Sequence, residues 1–591
     1  MRNLRQVACV AVSMLIVLAI GPSSASAAGP PNIVLIISDD HDYEHLGFMG
    51  NTYVHTPTLD RLAQSGAVFT TAHLPMSRCH PTLASFLSGR WPHQTGIYYN
   101  YGTKPLDPHN SLPNLLKKAG YATYVEGKYW EGDPREMGFT HGAGKTAGTF
   151  VRKGQDDLFA FVDQTAGRQP MFIWWAPLIP HAPHNPPQKY RDLYDPANLP
   201  VPEYVKNRAE PADDVSPTEA PEPPSGNGKR SGKDNGKNRG GGFRQKELLS
   251  YAMEAWLDDG VSQLVEKLEE AGQHENTMYV FVIDNGWCNG LSSKGSPFEK
   301  GVRTPIFFSL GGTTAGGQRF DDLVSTLDLY PTILDYAGVD VPATAAGRSL
   351  RPRIEGRPCE PREELFGAIY PAFATKNDER PERDVYALYV RTKKWKYIYF
   401  VQDVVAGRNG DYFRIQSIET DYPTRNAGDQ DLYDLESDPY EQHNLSGDPA
   451  QQQRLEELKQ RVMQWWQETG GKPLAEGKDK GDRRIYWVRC MNWHVVPILC
   501  EGDRERAASI AARAASVSAP HKHHPSRRDS CGSRHDRNLT DTSLLRQYMR
   551  LSPGMLFLLT RNQENHSNCL LWERYKPFFP EAGDSWNGYK T

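Results

Sequence analysis

The sequence predicts an α/β fold, one large and mostly parallel β-sheet flanked by helices. Three observations predict it. Short apolar runs alternate with helical patterns along most of the chain, as in a sheet covered by crossover helices. The runs are continuous rather than alternately apolar and polar, which marks strands buried on both faces. The 591 residues also suffice for one large domain and a smaller one.

The elements follow in order. In MRNLRQVACVAVSMLIVLAIGPSSASAA, Arg2 and Arg5 precede an apolar run from Val7 to Ile20, and Ala25-Ser26-Ala27 offers a small-residue cleavage site. Residues 1–27 read as a secretory signal peptide, since the run is short for a membrane span. The mature protein is therefore expected to be periplasmic or secreted, with no stable membrane span. NIVLIIS, Asn32 to Ser38, is the first buried strand. TPTLDRLAQSGAVF carries Leu59, Leu62 and Ala63 at helical spacing, with Gly66 as a stop. A small-residue, helix-like run follows Cys79. SLPNLLKKAGYATYVEGK predicts a helix from Leu112, a break at Gly120 and a strand. MFIWWAPLIP, from Met171, and TMYVFVI, from Thr277, are further buried strands. The helix between them sets Leu257, Val261, Leu264 and Leu268 on one face.

Two segments break the pattern. Residues 209–242 are rich in Pro, Gly, Ser and charge and read as a disordered insertion. Residues 471–591 lose periodicity and hold 20 Lys+Arg against 13 Asp+Glu, an atypical and poorly ordered tail. The net charge of −4 gives no reason to expect a nucleic-acid partner. Of the eight cysteines, only Cys79, Cys288 and Cys359 lie in the body, too few and scattered for a disulfide framework.

In an open parallel sheet, ligands gather beyond the carboxyl ends of the strands. Just past the apolar runs stand Asp39-Asp40, Lys128, His181 and Asp284-Asn285. Each alone has a bland reading as a turn cap or solvated side chain, but four runs ending this way point to one edge. Three aspartates and an asparagine oxygen make a hard site suited to Ca²⁺ or Mg²⁺ rather than zinc. Three carboxylates leave negative charge around one divalent ion, so an anionic substrate needs nearby cations. Lys128 and Lys294, in the glycine-rich SSKGSPFEKGVRTP, supply them and point to a tetrahedral oxyanion, sulfate or phosphate.

With these residues assembled, the chain from about Pro31 to Gly470 resembles the type I, formylglycine-dependent sulfatases of the alkaline-phosphatase-like superfamily. The resemblance rests on NIVLIISDD, TPTLDRLAQSGAVFTTAH, CHPTLASFLSGRWPHQTGIY, AGYATYVEGK, PHAP, IDNG, KGSPFEKGVRTP, VSTLDLYPTILDYAG and LYDLESDPYEQHNL. It implies a catalytic domain over 28–345 and a smaller α+β subdomain over 346–470. It implies that Cys79, in the position of the C-x-P-x-R cysteine, is oxidised to formylglycine (3-oxoalanine) by a maturation enzyme. The hydrated aldehyde offers one hydroxyl to attack sulfur and a second to expel sulfate afterwards. By the same resemblance Asp39, Asp40, Asp284 and Asn285, with the residue derived from Cys79, hold the metal. Lys128 and Lys294 neutralise sulfate oxygens, and His181 contacts substrate or protonates the leaving oxygen. Arg303 and Glu299 shape their loop; His41, His55, His73, His80 and His184 are supporting or pocket candidates.

Two departures stand out. Leu83 replaces the family's arginine after C-x-P-x, and GKYW puts Trp130 where a catalytic histidine is usual. Arg78 or Arg90 is a candidate to restore the missing charge. The reading is an exported sulfatase acting on sulfate esters, with sulfated carbohydrate as the substrate class and Tyr43, Trp91, Tyr98, Tyr99, Trp130 and Trp287 as candidate sugar-stacking rings. The alternatives are a phosphomonoester or phosphodiester hydrolase of the same superfamily, and a catalytically silent glycan-binding relative.

Overall fold

The computed structural model describes residues 29–100, 105–142, 154–199, 239–287, 293–310, 316–370, 385–402 and 425–474, with the backbone alone for 239–244 and for a hairpin of Ile485–Cys490 and His494–Leu499. All lie in one compact unit, Met1–Ala511. The signal segment, insertion residues 209–238 and the rest of the tail fall outside the described residues, as does the second unit, Ala512–Thr591.

The main sheet is built from β1 (Asn32–Ser38), β2 (Ala67–His73), β3 (Ala122–Gly127), β4 (His141–Gly142), β5 (Met171–Ala176), β6 (Thr277–Ile283), β7 (Arg303–Leu310), β8 (Gln318–Phe320) and β9 (Val324–Ser325). Their order is β4-β3-β5-β1-β6-β7-β2-β8, with β9 also on β2. Pairing is parallel except around β7, which runs antiparallel to both β6 and β2. The expected α/β architecture is the one found, with this single reversal.

Both faces are covered. Helices α1 (Pro57–Gln64), α2 (Cys79–Ser88), α3 (Leu112–Lys118), α4 (Asp156–Thr165), α5 (Arg239–Glu270) and α6 (Leu329–Tyr336) divide between them. Ile33, Leu35 and Ile37 of β1 join the core under α2, α3 and α6, whereas Val34 and Ile36 face α1, α4 and α5. All five are fully buried, which explains the unbroken apolar run. On α5, Leu257, Val261, Leu264 and Leu268 are at most 1% exposed. Each contributes about 1.5–3 kcal/mol by burial, so this seam rather than intrinsic propensity holds the helix. The helix begins at Arg239, well before that seam, and takes in the last residues of the expected insertion.

A second, antiparallel sheet follows, β10 (Leu365–Ile369), β11 (Ala387–Arg391), β12 (Trp395–Phe400) and β13 (Gln430–Asp434). Helix α7 (Gln452–Glu468) packs Leu455, Leu458, Val462, Trp465 and Trp466 against one face. The other face, with Ile369, Tyr389 and Ile398, receives Phe298 and Val302 from the loop between β6 and β7. The small sheet is thus docked on the segment that carries Lys294. No helix among the described residues is long and apolar enough to cross a membrane.

Candidate active site

The strand ends are level. Ser38 pairs with Ile283 and Gly127 with Ala176, so β3, β5, β1 and β6 release their chains side by side. Backbone bonds continue past the ladder: Lys128 N–H donates to Ala176 O (2.7 Å), Asp39 N–H to Ile179 O (3.1 Å) and Asp284 N–H to Ser38 O (3.0 Å). Strand order thereby brings Asp39, Asp40, Lys128, Asp284 and Asn285 together, all at most 2% exposed. Gly286 is forced by close approach, since a Cβ there would lie 2.0 Å from Lys300 O.

Lys128 Nζ pairs with Asp39 and, at 2.6 Å, with Asp284 Oδ2. Lys294 Nζ pairs with Asp40 and stands 3.3 Å from Cys79 Sγ. Cys79 opens α2 and is 3% exposed. A carboxylate oxygen from each of Asp39 and Asp284 and the sulfur of Cys79 lie within 4.8 Å of one another; Asp39, Asp40 and His181 form a second such group. His181 is partly exposed, with Nε2 3.6 Å from Asp40 Oδ2. Its Nδ1 faces the Ala182 carbonyl at 2.7 Å, so Nδ1 donates and Nε2 is turned toward the carboxylates.

The charges shape one another. Burial and the carboxylates of Asp39 and Asp40 push Asp284 up to about 6 against the pull of Lys128. Burial would raise Asp40 too, but Lys294, His181 and Lys128 hold it well below the usual carboxylate range. Burial pushes the Cys79 thiol up, opposed by Lys128 and Lys294. Three carboxylates against two ammonium groups leave an excess of negative charge in a buried space, the condition a divalent cation relieves. The donor set fits such an ion. Asn285 Nδ2 donates to Asp40 Oδ1 (2.6 Å) and Gly286 O (3.1 Å), which fixes the amide's orientation and leaves Oδ1 buried without a partner. Asp39 Oδ2 is likewise buried and unpartnered. Unsatisfied buried oxygens are costly, and a cation beside the carboxylate cluster would satisfy both. Asp40 also holds φ +55°, a strained backbone for a non-glycine residue, supported by its N–H on Asp284 Oδ1 at 3.2 Å.

Other expectations fare differently. Leu83 is 1% exposed inside the apolar core, so no charge replaces the arginine at that point. The strongest cations acting on Cys79 and Asp40 are Lys128 and Lys294, with His181 on Asp40; neither Arg78 nor Arg90 is among them. Arg78 lies buried against Gly295. Trp130 stacks on His80 (5.4 Å, 13°), whose Nε2 is 2.7 Å from Glu131 Oε1, a pairing that sequence reasoning missed. His73 is bound to Glu299 at 2.7 Å and His55 packs on Tyr194. Glu299 belongs to a buried ion cluster beneath the small sheet, and Arg303 Nε donates to Thr70 O at 3.0 Å. The stacking expectation is corrected for Tyr43, Trp91, Tyr98, Tyr99 and Trp287. Their rings are buried in protein contacts, Tyr43 under Arg303, Trp91 on Trp465 and Trp287 against His45.

Comparison with known proteins gives the same picture at family level. Residues 31–339 match the sulfatase family, and residues 289–411 match the C-terminal region of N-sulphoglucosamine sulphohydrolase. The chain is similar to human arylsulfatase A, 30% identical over 74% of this chain and 87% of that protein. It is also similar to an ulvan-active sulfatase of Formosa agariphila, 24% identical over 76% and 82%. Among solved structures, one bound to its substrate D-glucosamine-2-N,6-O-disulfate superposes with TM-score 0.58 at 18% identity, covering 77% of this chain and 100% of the other. A phosphonate monoester hydrolase of Silicibacter pomeroyi superposes at 0.56 and 20% identity, covering 75% and 97%.

Proposed function

Since the chain belongs to the sulfatase family of sulfate-ester hydrolases, we propose that it is an exported sulfatase of sulfated carbohydrates that uses a formylglycine made from Cys79 and a bound Ca²⁺. Mg²⁺ fits the same hard donors less well, since it demands a tighter octahedron. Asp39, Asp40, Asp284 and Asn285 would hold the ion, together with the residue formed at position 79 by a maturation enzyme. The single observation that carries this reading is that buried oxygens of Asp39 and Asp284 lie within 4.8 Å of Cys79 Sγ and of each other, with Asp40 and Asn285 hydrogen-bonded alongside.

The formylglycine supplies a nucleophilic hydroxyl and an internal route for releasing sulfate, and the ion supplies positive charge. The remaining work falls to this chain's own side chains. Lys294, 3.3 Å from Sγ of Cys79, and Lys128 offer ammonium protons to sulfate oxygens and offset their charge. His181, with Nδ1–H tied to a carbonyl, presents Nε2 at the rim, where it can pass a proton to the leaving sugar oxygen. Three carboxylates, two lysines and a divalent ion sum to a single positive charge. That balance favours the monoanionic sulfate ester over a dianionic phosphate monoester. Relatives that act on ulvan and on disulfated glucosamine support carbohydrate as the substrate class. The amino-terminal Arg2, Arg5 and apolar run support export.

Mass spectrometry of the Cys79 peptide, from protein made in its own host, tests the proposal. Conversion replaces sulfur and two hydrogens with one oxygen, and a peptide that remains wholly thiol overturns it. Rates on aryl sulfate against aryl phosphate separate the two ester classes, and faster turnover of phosphate would reverse the substrate assignment.

A further inference from the structure

We infer that Glu254, on the long helix α5, is a positioning residue for the metal ligands and acts on them through His41. The inference rests on the metal site proposed above.

Glu254 is fully buried. Its Oε1 accepts from Ser250 Oγ at 2.9 Å and lies 3.1 Å from His45 Nδ1 and 3.6 Å from His41 Nε2. The other nitrogen of His45 is 3.1 Å from Glu247 Oε2, so two carboxylates of one helix grip this ring. Burial alone would discharge His45, but Glu247 and Glu254 raise its pKa well above the ordinary value. A charged pair of this kind is costly unless it is well paired, and here the pairing ties α5 to the loop after β1.

His41 carries the constraint onward. Its Nε2 faces the His45 carbonyl at 3.1 Å, which can only accept, so Nε2 bears the proton. Nδ1 is then left to accept from Ser38 Oγ at 2.6 Å. The backbone N–H of His41 donates to Asn285 O at 3.2 Å, and Ser38 O accepts from Asp284 N–H at 3.0 Å. His41 therefore follows Asp40 in the chain, holds the residue before Asp39, and is bonded to Asn285. Four of the five proposed ligands, Asp39, Asp40, Asp284 and Asn285, thus lie one covalent or hydrogen-bonded step from His41 or from Ser38. Asp40, at φ +55°, needs such external support to keep its conformation. Glu247 and Ser250 also reach His45, but it is Glu254 that stands against His41. Asp258, one turn on and also buried, accepts instead from Thr58 N–H (3.0 Å) and Leu59 N–H (2.8 Å) at the start of α1.

That neighbour provides the control. Chelator-stripped full-length protein is titrated with Ca²⁺ calorimetrically as wild type, Glu254→Gln, Asp258→Asn and Asp284→Ala, alongside melting temperatures without Ca²⁺. Glu254→Gln is expected to weaken the Kd roughly 10- to 100-fold, the usual effect of losing a support behind a ligand. Asp258→Asn is expected to lower the melting temperature while leaving the Kd within about twofold. A Glu254→Gln Kd within about twofold of wild type, or an equal loss in Asp258→Asn, overturns the inference. Wild-type affinity in Asp284→Ala is a different failure, because it removes the metal site itself. Should Glu254→Gln not fold, Ser250→Ala deletes the hydroxyl that donates to Glu254 and is expected to weaken binding roughly three- to tenfold. No change in that variant overturns the inference equally.

Discussion

Two regions of this protein bury several charges each, and they differ in balance. At the strand ends, Asp39, Asp40 and Asp284 face Lys128 and Lys294, and two oxygens, Asp39 Oδ2 and Asn285 Oδ1, have no partner. Beneath the small sheet, Glu299 and Glu441 face Lys396 and Arg391. Lys396 Nζ lies 2.9 Å from Glu299 and 3.4 Å from Glu441, and Arg391 Nε lies 3.5 Å from Glu299. The second cluster sums to zero and joins the sheet to the body; the first is short of positive charge and opens toward Cys79. Burial of charge does not identify a reactive site. An imbalance that a cation and an anionic substrate together can cancel is what sets the proposed site apart.

The comparison is broken most sharply at Cys79. Cys79→Ala is expected to reduce sulfate-ester hydrolysis on the order of 10⁴- to 10⁶-fold in steady-state assays, and Cys79→Ser to leave at most one slow turnover. Repeated turnover by the serine variant would show that a second hydroxyl on one carbon is unnecessary. Lys294→Ala comes next, with an expected loss in kcat on the order of 10²- to 10³-fold and Ca²⁺ binding retained. A loss confined to KM would move Lys294 from stabilising developing charge to simple substrate binding.

The balanced cluster answers to pH instead. Burial pushes Glu441 up to about 7, with Lys396 opposing and Glu299 adding. A carboxyl raised in the fold stabilises it fully at acid pH, and the contribution is lost as pH rises through about 7. Wild type should therefore lose up to about 3 kcal/mol between the ordinary carboxylate range and pH 8, and Glu441→Gln should not. Denaturant melts at several pH values check this; parallel curves would make Glu441 fully paired. The smallest effect is at Asp258, which burial pushes up to about 6 despite two backbone donors. It should cost roughly 2 kcal/mol of stability as pH rises from 4 to 7, a slope absent in Asp258→Asn.

Much of this was legible because strand ends are marked by residue type. NIVLIIS-DD and TMYVFVI-DN place carboxylates where apolar runs stop, and a parallel sheet gathers such stops at one edge. The seam of Leu257, Val261, Leu264 and Leu268 was equally plain from its 3–4 spacing. Lys294 was legible as the cation of a glycine-rich loop and the role of Cys79 through the resemblance, but spacing alone does not tie residues 215 apart. The reversal at β7 was not, because an apolar run has no direction. Nor were Glu247, Ser250 and Glu254, although their spacing forms a polar stripe that Asp258 continues along α5. Polar stripes usually face water; only the packed structure reveals that this one is buried. The aromatic residues misled for the converse reason, as rings that suit a sugar also suit a core.

The reversal at β7 carries a consequence of its own. A crossover to a parallel neighbour would lead the chain from the end of β6 away to the far rim of the sheet. Because β7 runs back, the chain leaves β6 at Ile283 and enters β7 at Arg303 on the same rim. That excursion carries Asp284, Asn285 and Lys294, and packs Phe298 and Val302 against the small sheet. Two neighbouring strands thus anchor both ends of the stretch that brings a carboxylate, an amide and an ammonium group to one place.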